Sequence, residues 1–195
     1  MSKYYYGFFR STDTSKDPNG QLYKVVIITD FVNLNIDNIS KEKELTLSSQ
    51  PFVVEYANDE ENIYKPYKCS TATVSFYQRK FNPDFQTSNG NSIFVQLLKL
   101  KDGYDGETES IFNQGFTVEW CGFATPNTYS QSYEREEDLF QLECQDGLSV
   151  LQYYKYERFG SGLVSFLDII LKWAKFLRCY KTIYITDAVY VPLVQ

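Results

Sequence analysis

The chain has 195 residues, a formal net charge of −6 and no histidine. That length suffices for a buried core without metal or disulfide support. The acidic balance and the absence of any run of Lys or Arg argue against nucleic-acid binding and against docking on an anionic membrane surface. Without histidine the chain lacks the commonest general base and the usual partner of Ser and Cys nucleophiles. We therefore expect neither enzymatic activity nor a cofactor or metal site.

Aromatic and β-branched residues predict strands along most of the first 150 positions. The predicted strands cover residues 4–9, 22–29, 45–47, 51–56, 70–77, 92–99, 116–123 and 139–144. Between the first two, Asp17-Pro18-Asn19-Gly20 is a turn signal, so we expect those strands to pair as a long-looped hairpin. Residues 33–43 are polar and rich in Asn, which predicts a loop.

Two of these segments show the alternation of a strand with one buried face. In residues 70–77, Ala72, Val74 and Phe76 fall on one side. In residues 116–123, strict alternation places Trp120 on the same face as Phe116. Each segment is therefore predicted to be a strand that has one face buried in a core and the opposite face directed away from it.

The pattern changes near the C-terminus, where apolar residues recur at helical spacing. They predict one amphipathic helix at about 163–178, with Asp168 and Lys172 on its polar side, and a C-terminal strand pair after it. The predicted fold class is mainly β (α+β), an antiparallel β-barrel or sandwich of about seven or eight strands. We predict a β domain over residues 1–155. Residues 156–195 are expected to pack on this domain or on a neighbouring subunit.

Short motifs follow one another between residues 116 and 151. They are Trp120-Cys-Gly122 at a predicted strand end, Pro126-Asn-Thr-Tyr129 in the following loop, and Asp146-Gly147-Leu148 at the end of the next strand. This order resembles a pattern in the tail-hub and baseplate proteins of tailed bacteriophages, especially those of Bacteroides-type hosts, including crAss-like phages. The motif residues are expected to serve structure or an interface.

The resemblance implies a β-barrel hub related to the tail-tube fold, which forms a ring at the end of the tube or at a collar and catalyses nothing. The implied partners are copies of the chain itself and other tail or collar proteins, without nucleic acid or membrane. The implied location is the tail of the virion, after synthesis in the host cytoplasm.

Two other functions are open to the sequence. The 17 Tyr and 15 Phe would suit a carbohydrate- or receptor-binding module, with residues 4–9 or 153–156 as an aromatic platform. Such residues more often fill a core or an oligomer interface, and we favour that interpretation. A glycosidase would need two carboxylates in a cleft, for which Glu55, Glu119 and Glu143 are the candidates. Since alternating strands place charged residues in solvent anyway, these three are interpreted as surface residues.

Two further groups of residues invite a functional interpretation. Asp102, Asp105 and Glu107 do not have the spacing of an EF-hand calcium loop, so we interpret them as turn residues. The four cysteines are far apart in the chain and are expected to be reduced and buried.

Overall fold

The computed structural model of the protein describes residues 2–12, 18–31, 40–56, 69–79, 82–86, 90, 92–104, 115–126, 137–147 and 168. The chain divides into two compact units, Met1–Tyr154 and Lys155–Gln195. The predicted helix at 163–178 and the C-terminal strand pair lie outside the described residues, apart from Asp168, which is helical and exposed.

The described part of the first unit is mainly β. Its strands are β1 (Lys3–Arg10), β2 (Leu22–Thr29), β3 (Ser40–Glu44), β4 (Thr46–Tyr56), β5 (Ser70–Gln78), β6 (Phe94–Leu100), β7 (Phe116–Ala124) and β8 (Asp138–Asp146). A short 3-10 helix, Pro83–Phe85, follows β5. The predicted mainly antiparallel β architecture is confirmed, including the hairpin of β1 and β2.

The eight strands form one sheet in the order β3-β1-β2-β6-β7-β8-β5-β4. Neighbours are antiparallel, except that β3 runs parallel to β1. The two edge strands, β3 and β4, are consecutive in the chain and separated by Leu45 alone. The backbone N–H of Leu45 donates to the carbonyl of Tyr6 (2.6 Å). Because one continuous segment pairs with β1 at its start and with β5 at its end, the sheet curls into a barrel-like shape.

This segment differs from its predicted structure. A loop is expected at residues 33–43, but residues 40–43 belong to β3. The two short strands expected at 45–47 and 51–56 are one strand, β4. The pairing register of β4 with β5 shifts between Leu47 and Phe52, and Pro51 lies within that shift. A bulge accommodates Pro because it removes the need for a ladder hydrogen bond there. The polar composition of residues 40–44 conceals a strand that is formed by long-range pairing.

The main core fills the inner face of the curled sheet. Ala72, Val74 and Phe76 of β5 all belong to it, as their alternation predicts. The remaining buried members are Tyr5, Val25, Ile27, Phe85, Ile93, Val95, Trp120, Ala124, Phe140, Leu142 and Cys144. Residues from β1, β2 and β5–β8 therefore meet in one cluster, which requires the sheet to curl around it.

The expected shared face of Phe116 and Trp120 is wrong. Leu97 pairs with Trp120 whereas the next residue, Leu98, pairs with Val118, so Glu119 is an extra residue in β7. One inserted residue moves every side chain beyond it to the opposite face. Phe116 consequently packs in an outer cluster and Trp120 in the inner core.

Candidate functional site

The sheet consists of two halves that meet at the β7–β8 pair. The five-strand half is β3-β1-β2-β6-β7 and the three-strand half is β8-β5-β4. Within the described residues, β7 and β8 pair at three positions, where Gly122, Phe123 and Ala124 face Asp146, Gln145 and Cys144. The predicted motif residues Gly122 and Asp146 are thus direct partners across this short junction.

A chain of hydrogen bonds crosses the junction. The indole N–H of Trp120 on β7 donates to the hydroxyl of Ser70 on β5 (3.0 Å). The same hydroxyl donates to Oδ2 of Asp146 on β8 (3.2 Å), which also accepts the backbone N–H of Ser70 (2.5 Å). Trp120, Ser70 and Asp146 are all at most 7% exposed. We call these three residues and Gly122 the junction lock.

Gly122 is required in the junction lock by close packing. A Cβ at this position would lie 2.5 Å from the ring carbon Cη2 of Trp120 and would collide with the backbone carbonyl oxygen of Gln145. Since that carbonyl belongs to the paired strand, it cannot rotate away as a side chain could. The Trp-x-Gly motif therefore lets the indole lie against the backbone where the two strands meet.

The chemistry of the junction lock is structural. A buried carboxylate is stabilised when it accepts hydrogen bonds, and bonds to an ionised acceptor are stronger than neutral ones. Here Asp146 accepts two hydrogen bonds from Ser70, one from its backbone N–H and one from its hydroxyl. The indole N–H of Trp120 donates to the same hydroxyl. Because these groups are buried, a substrate cannot reach them. Their hydrogen bonds instead hold β5, β7 and β8 together.

The other predicted motif residues are placed only in part. Pro126 is exposed just beyond β7, and Gly147 is buried directly after β8. Tyr129 and Leu148 lie outside the described residues. The structure thus brings Trp120, Gly122 and Asp146 together and leaves Pro126 apart from them.

A second polar link joins β1 to the 3-10 helix after β5 and was missed by sequence reasoning. Oδ2 of Asp84 accepts the Tyr5 hydroxyl (2.5 Å) and the Lys3 ammonium group (2.7 Å). Asn82 donates from Nδ2 to the Tyr5 hydroxyl (3.1 Å), and its Oδ1 caps the 3-10 helix at the N–H of Asp84 (3.0 Å). Burial acts to raise the pKa of Asp84, but the hydrogen bonds from Lys3 and Tyr5 and the Lys3 charge outweigh it and lower the pKa. The Asn-Pro-Asp sequence is a helix-start signal, but it does not reveal the partners.

The outer face of the five-strand half is buried and contains a cation. Lys24 is 0% exposed, and its Nζ lies 5.5–5.8 Å from the ring centroids of Tyr4, Tyr6, Phe8 and Phe116. These distances are those of cation–π contacts. We call these five residues the aromatic–lysine cluster. Burial, with a smaller effect from Tyr6, raises the pKa of Tyr4, so that hydroxyl stays neutral.

This burial agrees with the interpretation of residues 4–9 as core residues and argues against a sugar-binding platform there. Tyr4 and Tyr5 are 1% and 5% exposed and pack in the outer and inner clusters respectively. Alternation along β1 directs successive rings to opposite faces of the sheet, so they cannot form one exposed platform. The second proposed platform, at 153–156, lies outside the described residues.

The outer face of the three-strand half is open to solvent. Tyr77 of β5 and Leu139 of β8 are direct cross-strand partners, 42% and 47% exposed. Val53 of β4 is 40% exposed, and Glu55 and Glu143 are also exposed. We call the outward side chains of β4, β5 and β8 the open outer face.

The remaining candidates for chemistry do not form a cluster. Glu55 and Glu143 lie on β4 and β8 with β5 between them, and Glu119 is the exposed bulge residue of β7. Among the described residues no group of His, Cys, Asp or Glu is arranged to hold a metal ion. No helix in that part of the chain is both long and apolar enough to cross a membrane.

Three of the four cysteines, Cys69, Cys121 and Cys144, fall in the described ranges. Cys121 and Cys144 are buried as expected, whereas Cys69 is exposed at the start of β5. Burial, with a smaller effect of the Glu143 charge, raises the pKa of Cys144. This thiol is therefore protonated and serves as a small apolar core residue.

No protein-family model, curated protein or solved structure matches this chain.

Proposed function

We propose that this chain is a non-enzymatic structural protein of a tailed-phage virion, located in the tail. Copies of it form a ring at the tail hub, baseplate or collar and connect the tail tube to other tail proteins. The observation that carries the proposal is the junction lock. Three of the residues that carry the resemblance to tail hubs, Trp120, Gly122 and Asp146, meet at one place and join the two halves of a curled β-sheet.

Two structural properties suit a ring subunit. Such a subunit holds a fixed shape while neighbours contact it on both sides, and buried, mutually satisfied polar groups make a sheet rigid. It also needs an exposed apolar surface for contact with the next copy, and the open outer face offers Tyr77 and Leu139 side by side.

A carbohydrate- or receptor-binding module is the second candidate, and exposed tyrosines support it. Tyr56 and Tyr104 are 62% and 56% exposed, and aromatic rings of this kind can stack on sugars. A glycan array with the purified chain tests this candidate, and binding that is lost in the Tyr56→Ala variant would move it to first place. An array without any bound glycan would remove its support.

The solution mass of the purified chain tests the ring proposal. Light scattering over a range of concentrations is expected to show a discrete trimer, hexamer or larger ring. Mass spectrometry of purified phage particles is expected to detect the chain as a virion component. A chain that stays monomeric at every concentration and is absent from particles would refute the proposal.

A further inference from the structure

The open outer face has an apolar row and acidic rows. Leu139, Tyr77 and Thr46 lie opposite one another on β8, β5 and β4. Four residues farther along β8 and β5, Glu143, Thr73 and Val53 form a further row. The face of a sheet that meets water is normally polar, so an aromatic residue paired with leucine there is typical of a contact surface.

The charge of this face limits what can cover it. Its exposed ionised residues in the described strands are Glu55 and Glu143, while Arg79 at the margin pairs with Glu137 (2.8 Å). A twofold contact of this face with itself would bring carboxylates toward carboxylates, which costs binding energy. A partner for this face should therefore present apolar or cationic groups.

The same chain carries a surface of the complementary sign at one end of the five-strand half. Arg10 ends β1, and Lys99 and Lys101 lie at the end of β6, with the start of β2 between these two strands. Hydrogen bonds fix this end, since Arg10 donates to the Gly20 carbonyl and Lys101 N–H to the Gly115 carbonyl. We call Arg10, Lys99 and Lys101 the basic end; among the described residues directly after β6 (101–104), Asp102 is the one carboxylate.

We infer that the open outer face of one subunit receives the basic end of the next copy of this chain. This contact rests on the proposed ring function and names the surfaces that form it. Two different surfaces of one subunit then meet, so the contact is heterologous, and repeated heterologous contacts form a ring when the rotation between successive copies closes. Tyr77 and Leu139 supply the apolar centre, and Glu143 and Glu55 align the basic end.

Substitutions on the two surfaces test the contact through the concentration dependence of the solution mass. Leu139→Asp removes half of the apolar pair and should raise the concentration for half-assembly by about tenfold. Tyr56→Asp is the matched control. It alters a more exposed aromatic residue whose strand partner is the buried Ser70, so assembly should be unchanged. Thermal melting of both variants separates loss of contact from loss of folding.

Charge reversal identifies which surfaces meet. Glu143→Lys and Lys101→Glu should each weaken assembly by about fivefold, because each places like charges across the contact. The double variant should recover most of the lost assembly, which a contact of the open outer face with itself could not produce.

The outcomes distinguish this contact from the proposed function. A wild-type ring that persists unchanged in Leu139→Asp and in both charge reversals overturns the contact and leaves the ring subunit in place. Weakening by Leu139→Asp without any effect of Lys101→Glu overturns the basic end as the partner surface. A wild-type chain that is monomeric at every concentration overturns both.

Discussion

The outer faces of the two sheet halves differ in a way that strand composition does not suggest. On the five-strand half, Lys24 is fully buried among aromatic rings, and Leu98 beside it is 1% exposed. On the three-strand half, Leu139 and Tyr77 are 47% and 42% exposed. A lysine is therefore inside and a leucine outside on the same side of one sheet. Alternation therefore defines the two faces of a strand but does not identify the face that meets water.

The largest effect should come from reversing the buried charge. Lys24→Glu places a carboxylate against the negative faces of four rings, and we expect it to lower the free energy of unfolding by about 4 kcal/mol or to prevent folding. Lys101→Glu, the exposed control, should change it by less than about 0.5 kcal/mol at a protein concentration below that of assembly. Urea unfolding followed by tryptophan fluorescence measures both. Equal losses in the two variants would contradict the assignment of Lys24 to a buried cluster.

A matched pair of leucines tests the comparison directly. Leu98→Ala should lower the free energy of unfolding by about 3 kcal/mol, because it removes buried apolar area and leaves a cavity. Leu139→Ala should cost less than about 0.5 kcal/mol, since the side chain is half exposed. The midpoint of chemical unfolding gives both values. Similar costs at the two positions would mean that the two outer faces do not differ.

The junction between the halves should show an intermediate effect. Asp146→Ala leaves the buried hydroxyl and N–H of Ser70 without their acceptor, and we expect a loss of about 2 kcal/mol. Glu143→Gln, on the same strand but exposed, is the control and should be nearly neutral. A double-mutant cycle with Ser70→Ala should show coupling of about 1 kcal/mol between Ser70 and Asp146. Additive losses would argue against the lock.

The smallest effect should be a pH dependence at the second link. The folded-state pKa of Asp84 is lowered, so its contribution is fully present above the unfolded pKa of about 3.9 and is lost as the pH falls through the folded value. As the pH falls from about 5 toward acid unfolding, Asp84→Asn should therefore lose less stability than the wild type. Unfolding curves at a series of pH values test this. Identical pH profiles would show that Asp84 contributes nothing through its charge.

The strands of the first 150 residues were largely predictable, because β-branched and aromatic runs bounded by turn signals are local properties. The junction lock was predictable in part. Trp120, Gly122 and Asp146 were selected as motif residues, but Ser70, which connects them, carries no local signal. The second link was missed because Lys3 and Asp84 are 81 positions apart.

The acidic, strand-rich character of the protein and the positions of most strands can be derived from the amino-acid sequence alone, because they depend on side-chain type and short-range periodicity. Tertiary structure decided that a bulge at Glu119 turns Trp120 inward and that residues 40–44 form a strand. It also decided that one outer face is buried and the other open. Each of these features depends on pairing or packing between segments that are distant in the chain. A shift of one residue in the pairing register moves a side chain to the other face of the sheet, and a layer packed on a face buries the side chains there.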